Sequence, residues 1–183
     1  MRSYALTVAT GLFVLALPAF AVAQEQGDVG LTIGHPGSVG MLWHVSDRVA
    51  LRPEFQFSYI SSESEGVFES SSHSWNVAPG ISALFYLKRF DKLRTYFAPR
   101  FTFSRATSSF ESDLSGQAAT STNRSYSGTA SFGTQYSFSE RFTLFAEIGL
   151  GATRTSGSSA LSSARTTGHQ WTTRTGVGVA FYF

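Results

Sequence analysis

The feature that most limits the possible folds is a period-two alternation of apolar and polar residues from Val49 onward. In the segment 49–59, Leu51, Phe55 and Phe57 fall on one side, while Arg52 and Glu54 fall on the other. Such alternation predicts β-strands with one apolar and one polar face. The pattern recurs in the segments 49–59, 75–87, 93–103, 126–138, 142–152 and 171–183.

The placement of charge decides what the alternation means. In these segments every Asp, Glu, Lys and Arg lies on the polar side, which is otherwise rich in Gly, Ser, Thr and Ala. A soluble sandwich has the reverse balance, with an apolar inner face and a charged outer face. A charge-free apolar face opposite a small, polar one is typical of a barrel with lipid outside and a polar interior. Each segment also reaches the roughly 9–11 residues that a tilted transmembrane strand needs.

Composition supports this interpretation and excludes several classes of function. Charged residues make up 14% of the 183 residues, against roughly 25% in average soluble proteins. The Lys and Arg residues are spread along the chain, so no nucleic-acid footprint is present. The chain has no cysteine, which excludes disulfides, a thiol nucleophile and a cysteine-based zinc site.

The first 23 residues have the layout of a secretory signal peptide. Arg2 precedes the mostly apolar stretch 5–17, Pro18 ends that stretch, and Ala21-Val22-Ala23 matches a small-x-small cleavage pattern. A membrane helix needs about 20 apolar residues, and this stretch is shorter. We therefore predict a signal peptide over 1–23 and one barrel domain over 24–183.

The connections between the segments alternate in length. The segments Ser46–Arg48 and Ser139–Arg141 predict tight turns, and 88–92 a slightly longer one. Long Ser/Thr/Gly-rich loops are predicted over 61–72, 108–123 and 156–168. Short periplasmic turns and long extracellular loops are the outer-membrane pattern. Glu54, Arg100 and Glu147 recur at steps of 46 and 47 residues, which indicates a hairpin repeat of an up-and-down barrel.

The even strand count of bacterial barrels places two more strands before Val49. Segments 29–33 and 39–45 fit, with the turn signal His35-Pro36-Gly37-Ser38 between them. The predicted fold is therefore all-β: an eight-stranded, antiparallel, up-and-down transmembrane β-barrel. A single bent strand over 28–45 would leave seven strands.

Five charged side chains near mid-strand face inward by parity: Arg52, Glu54, Arg100, Glu147 and Arg174. The interior of an eight-stranded barrel is just wide enough to be filled by side chains. Because unpaired buried charges are costly, we expect these residues to pair into a polar network. Its role is either structural filling, which we favour, or a gate or proton path.

Other residues point to no catalytic, cofactor or metal site. The histidines His35, His44, His73 and His169 share no ligand spacing, and no GxSxG elbow is present. We expect a bulge at each of the strand prolines 53, 79 and 99. Aromatic girdles are predicted at the two ends of the barrel from Trp43, Tyr59, Trp75, Tyr126, Tyr136, Phe138, Phe142, Trp171 and Tyr182.

These features together resemble small outer-membrane β-barrel proteins of the OmpA/OmpX-like superfamily. The most specific part is the closing run Val177-Gly178-Val179-Ala180-Phe181-Tyr182-Phe183, which resembles the C-terminal signal read by the β-barrel assembly machinery. The resemblance implies Val177, Val179, Phe181, Tyr182 and Phe183 as that assembly signal. Thr175 departs from the alternation that precedes it.

We expect a monomeric protein of the outer membrane of a Gram-negative-type cell, with lipid and the assembly machinery as partners and no cofactor. Its expected role is structural or surface-interacting, with flexible extracellular loops and no enzyme activity. The alternatives are a narrow transporter through the Arg/Glu lumen, a lipid-modifying outer-membrane enzyme, and a soluble periplasmic lipocalin-like barrel.

Overall fold

The computed structural model describes residues 27–64, 70–112, 117–159 and 162–183. The signal peptide predicted for residues 1–23 lies outside this range. Among the described residues, no helix is long and apolar enough to cross a membrane.

Eight antiparallel strands, each hydrogen-bonded to its neighbours in the chain, form a closed ring. The ring closes where β1 pairs with β8, from Gly30↔Tyr182 to His35↔Val177. The predicted eight-stranded up-and-down barrel is therefore confirmed, and 28–45 forms two strands joined at Pro36-Gly37. The strands are β1 (Val29–His35), β2 (Ser38–Ser46), β3 (Val49–Ser64), β4 (Ser70–Phe90), β5 (Leu93–Ser112), β6 (Gln117–Ser137), β7 (Phe142–Ser159) and β8 (Ser162–Tyr182).

The three long loops predicted from composition are wrong over most of their length, because the strands continue through them. Pairing extends to Ser64↔Ser70, Ser112↔Gln117 and Ser159↔Ser162. Beyond the apolar band both faces of a strand meet water, so the period-two pattern fades while the backbone ladder continues. Serine and threonine repeats therefore hide strands that composition alone assigns to loops. Of these segments, only residues 65–69, 113–116 and 160–161 lie outside the described range.

At the other end of the barrel the connections are short. Asp47-Arg48 joins β2 to β3, Asp91-Lys92 joins β4 to β5, and residues 138–141 join β6 to β7. The turn predicted over 88–92 is shorter than expected, because β4 runs to Phe90. Asp91 has a φ of 49°, a left-handed conformation that aspartate adopts more readily than most residues.

The bulges predicted at the strand prolines are wrong. The register shifts instead between His44 and Ser46, between Tyr86 and Lys88, and between Ser158 and Ser159. Near Pro53 the β2–β3 pairing stops at Gly40↔Glu54 and resumes in the same register at Trp43↔Leu51. A proline supplies no backbone donor, so the ladder is interrupted there without an inserted residue.

The exterior carries a band of exposed apolar side chains between the turns and the outer strand ends. On β7 the band runs through Leu144, Ile148 and Leu150. Exposed aromatic residues lie at its two edges: Tyr59, Trp75, Tyr126 and Trp171 on the outer side, and Trp43, Tyr136 and Phe138 on the turn side. Tyr182, which we expected in a girdle, points inward and is buried. Such a band with aromatic edges is the exterior of a transmembrane barrel.

Candidate functional site: the charged cluster in the barrel interior

The structure brings four of the five predicted lumen residues into direct contact. Arg52 and Glu54 come from β3, Arg100 from β5 and Glu147 from β7, so the cluster crosses the interior. All four side chains are less than a tenth exposed. Their positions follow from parity alone, because alternate residues of a strand point to the same face.

Glu147 is the centre of the cluster. Its Oε1 accepts hydrogen bonds from Arg52 Nη2 at 2.5 Å and from the Tyr96 hydroxyl at 2.9 Å. Its Oε2 accepts from Arg100 Nη2 at 3.0 Å. One carboxylate therefore bridges two guanidinium groups from two other strands.

Glu54 makes the second bridge between the same two arginines. Its Oε1 lies 2.6 Å from Arg100 Nε, and its Oε2 lies 3.8 Å from Arg52 Nε. Arg52 also donates from Nε to Ser82 Oγ at 3.2 Å and lies 5.0 Å from the centre of the Phe145 ring. The paired geometry offsets the cost of burying four charges.

Arg174 is the one predicted lumen residue that the structure leaves outside the ion pairs. It pairs across the ladder with Gly149, two residues beyond Glu147 toward the outer end of the barrel. Its Nε is buried and has no hydrogen-bond partner among the described residues. The cluster thus holds three arginines and two glutamates, and its surplus positive charge lies on the outer side.

The large inward side chains fit because their ladder partners are small. Glu54 lies between Gly40 and Gly80, and Glu147 lies between Gly133 and Gly176. At Gly133 an added Cβ would overlap the Tyr96 ring. The glycine-rich inward face is therefore a packing requirement of the cluster.

Below the cluster, toward the turns, an aromatic and polar layer fills the lumen. Tyr86 donates to Gln135 Oε1 at 2.8 Å, His44 Nε2 lies 3.2 Å from the Tyr182 hydroxyl, and the His44 and Tyr86 rings stack at 5.5 Å. His44, Tyr96 and Gln135 are almost completely buried. The sequence pattern does not predict this layer, because an inward aromatic residue has the same sequence signal as one in a girdle.

The cluster and the aromatic layer close the barrel from its middle to its turn end. Beyond Arg174 and Arg100 the inward positions include serines and threonines, such as Thr102, Ser127 and Thr153, which are only partly buried. The lumen is therefore closed by side chains from its middle to the turn end, and its outer end is a small polar vestibule. Chemically, the site can hold an anion beside Arg174. Among the described residues, no group of His, Asp and Glu side chains could hold a metal ion.

A second group of charges lies on the exterior, just beyond the apolar band. Arg105, Arg124, Arg154 and His169 face outward on four consecutive strands, β5 to β8, and all are exposed. Arg105 is directly opposite Arg124, and Arg154 is directly opposite His169. The sequence pattern does not indicate this basic belt, because each predicted strand ends two residues before it.

Of the residues assigned to the assembly signal, Val177, Val179 and Phe181 lie on the outer face of β8 near its end, and Phe183 follows the strand. Val177, Phe181 and Phe183 are exposed, while Tyr182 points into the lumen. Phe183 donates its amide to the Val29 carbonyl at 3.2 Å, and Phe181 packs 5.1 Å from Phe142.

No protein-family model matches the chain, and no curated protein matches it. Among solved structures, it is similar to a major outer membrane protein from Thermus thermophilus. That match has 10% identity and a TM-score of 0.58, covering 85% of this chain and 98% of that one.

The chain also matches Ail, the attachment invasion locus protein of Yersinia pestis. The identity is 12% and the TM-score 0.49, with 86% of this chain and 99% of Ail covered. A match to CarO of Acinetobacter baumannii has 15% identity and a TM-score of 0.44, covering 89% and 100% of the two chains. The protein has the fold of the small eight-stranded outer-membrane β-barrels.

Proposed function

We propose that this protein is an integral outer-membrane barrel without a through-channel, with a structural or surface-interacting role carried by three long hairpins. The combination that supports this is an apolar exterior around a lumen plugged by Arg52, Glu147 and Tyr96. An apolar exterior of this kind needs lipid, and a plugged base leaves no path for solutes.

The exterior basic belt supports the same placement. Like charges directly opposite on neighbouring strands destabilise a sheet unless a counter-charge is present. Arg105 and Arg124 lie just beyond the aromatic edge, where phosphate headgroups of the outer leaflet would supply that charge. Outer-membrane lipid is therefore the proposed partner of this surface.

The extended hairpins support the proposed surface role. β3–β4, β5–β6 and β7–β8 continue well past Tyr59, Tyr126 and Trp171 as paired strands. A paired ladder holds its outer residues in a fixed arrangement, unlike a flexible loop. We infer that these hairpins, rather than the lumen, present the protein to its surroundings.

The experiment uses the mature chain refolded into lipid vesicles. Heat-modifiable gel mobility reports whether the barrel has formed, and planar-bilayer recordings then report conductance. We expect a heat-modifiable band and no conductance steps, both for the unmodified protein and for Glu54→Ala. Glu54→Ala removes one bridge of the cluster, while Glu147, Tyr96 and the aromatic layer below remain.

Steady conductance steps from the unmodified protein that change in Glu54→Ala would contradict the plugged lumen and favour the transporter. A preparation that stays in aqueous solution without lipid or detergent would contradict membrane integration and favour the lipocalin-like alternative.

A further inference from the structure

The first hairpin is much shorter than the strands on either side of it. β1 has 7 residues and β2 has 9, whereas β8 has 21 and β3 has 16. Pairing with the hairpin ends at His35↔Val177 on β8 and at Ser38↔Gln56 on β3. Beyond those points, among the described residues, β8 pairs only with β7 and β3 only with β4.

Solvent exposure marks the same two edges. All side chains from Phe57 to Glu63 on β3 are exposed, and so are all those from Thr166 to Thr173 on β8. By contrast, β7 alternates from Ala146 to Gly151 between exposed positions and buried or half-buried ones. Both faces of a strand become exposed at a free edge that borders an opening in the wall.

This opening lies at membrane depth. Thr175 pairs with Ile148, and Thr173 pairs with Leu150, so both threonines lie beside the apolar band of β7. Open sheet edges do not occur in contact with hydrocarbon, but they are tolerated where they line a water-filled cavity. The free part of β8 has the composition that such a cavity needs, because Thr172, Thr173 and Thr175 make it polar on both faces.

Arg174 lies on this edge and points inward. It carries the surplus positive charge of the central cluster, and its buried Nε lacks a hydrogen-bond partner among the described residues. An ionisable residue at membrane depth is costly unless it has a counter-charge. The opening therefore ends at a cation that an entering anion could neutralise.

We propose that the short first hairpin leaves a hydrated lateral opening between β3 and β8, and that it admits a single-chain amphiphile with a carboxylate headgroup, bound by Arg174. Two missing strands separate the edges by three strand spacings, roughly 14 Å, which is wide enough to admit an acyl chain. The headgroup meets Arg174 and Thr172, while the acyl chain lies along Phe57 and Tyr59. This inference rests on the proposed membrane location.

The experiment measures energy transfer from Trp171 to dansyl-undecanoic acid in nanodiscs. The chain has three tryptophans, so a Trp43→Phe/Trp75→Phe background leaves Trp171, at the rim of the opening, as the donor. We expect saturable transfer that palmitate displaces and that neither methyl palmitate nor acetate displaces. Arg174→Gln should raise the half-saturation concentration at least tenfold, and Arg174→Lys should raise it less.

Arg141→Gln is the control, because Arg141 is exposed in the short turn between β6 and β7, at the other end of the barrel from the opening. It should leave the half-saturation concentration unchanged. Equal weakening by Arg174→Gln and Arg141→Gln, displacement by acetate, or transfer that never saturates would overturn the proposal. Heat-modifiable mobility of every variant is recorded first. A chain that fails to enter the membrane refutes the proposed function, whereas an inserted barrel without saturable transfer refutes only the lateral site.

Discussion

At the scale of single residues, Glu147 is the centre of the hydrogen-bonded cluster in the interior. It accepts hydrogen bonds from Arg52, Arg100 and Tyr96 at 2.5 to 3.0 Å. Removing one partner of a buried ion pair leaves a charge without compensation. Arg52 therefore depends on this carboxylate more than on Glu54, which lies 3.8 Å from Arg52 Nε, whereas Arg100 is in close contact with both glutamates.

Replacing Glu147 with glutamine should lower the free energy of unfolding by about 3–5 kcal/mol, because buried Arg52 loses its closest counter-charge and buried Arg100 loses one of its two. Tryptophan fluorescence during denaturant unfolding in vesicles would measure it. Glu63→Gln is the control: Glu63 is exposed on β3, and its change should stay within about 0.5 kcal/mol. Equal denaturation midpoints for the two variants would show that the cluster contributes no stability.

The sequence predicts much of this cluster, since parity alone places the five charged residues inside. It could not predict that Arg174 would stand apart from the ion pairs, because that depends on the stagger between β7 and β8. It also could not assign Tyr182, which fits both a girdle and the lumen. The burial of Tyr182 depends on the space that the glycines of neighbouring strands leave inside the barrel.

At the scale of elements, the strands within the membrane were predictable and their outer extensions were not. Lipid on one side and side-chain packing on the other impose the alternation between Phe142 and Ala152. Beyond Ala152 water lies on both faces, and β7 continues to Ser159 through a sequence without that signal. The sequence predicts the first hairpin as two strands. The opening between β3 and β8, on the outer side of that hairpin, follows only from the strand pairing in the structure.

The C-terminal strand carries the prediction at this scale. Phe183 is 87% exposed, so Phe183→Ala should remove little packing and leave the refolded barrel equally stable. If the closing residues form the proposed assembly signal, the same change should slow assembly in cells several-fold, measured by the appearance of the heat-modifiable form after a pulse label. Phe138→Ala, an exposed aromatic residue at the same rim, is the control. Normal assembly of Phe183→Ala would contradict the proposed signal.

At the scale of the whole molecule, the barrel is divided along its axis. The turn end is filled by His44, Tyr86, Tyr96 and Gln135, and the middle is filled by the charged cluster. The outer end is open as a small polar vestibule. The exterior has a matching division into an apolar band, an aromatic edge and the basic belt. From these layers we predict one orientation, with the short turns in the periplasm and the long hairpins outside.

Labelling single cysteines in intact cells tests this orientation most directly, because the chain has no native cysteine. Ser158→Cys lies at the outer end of β7, Leu150→Cys in the apolar band and Glu140→Cys in a short turn. With a polymer-linked maleimide too large for porins, we predict labelling of Ser158→Cys in intact cells and of Glu140→Cys only after lysis. Leu150→Cys should stay unlabelled until the membrane is dissolved. Labelling of Glu140→Cys in intact cells, or of Leu150→Cys as readily as Ser158→Cys, would contradict the transmembrane barrel proposed for this protein.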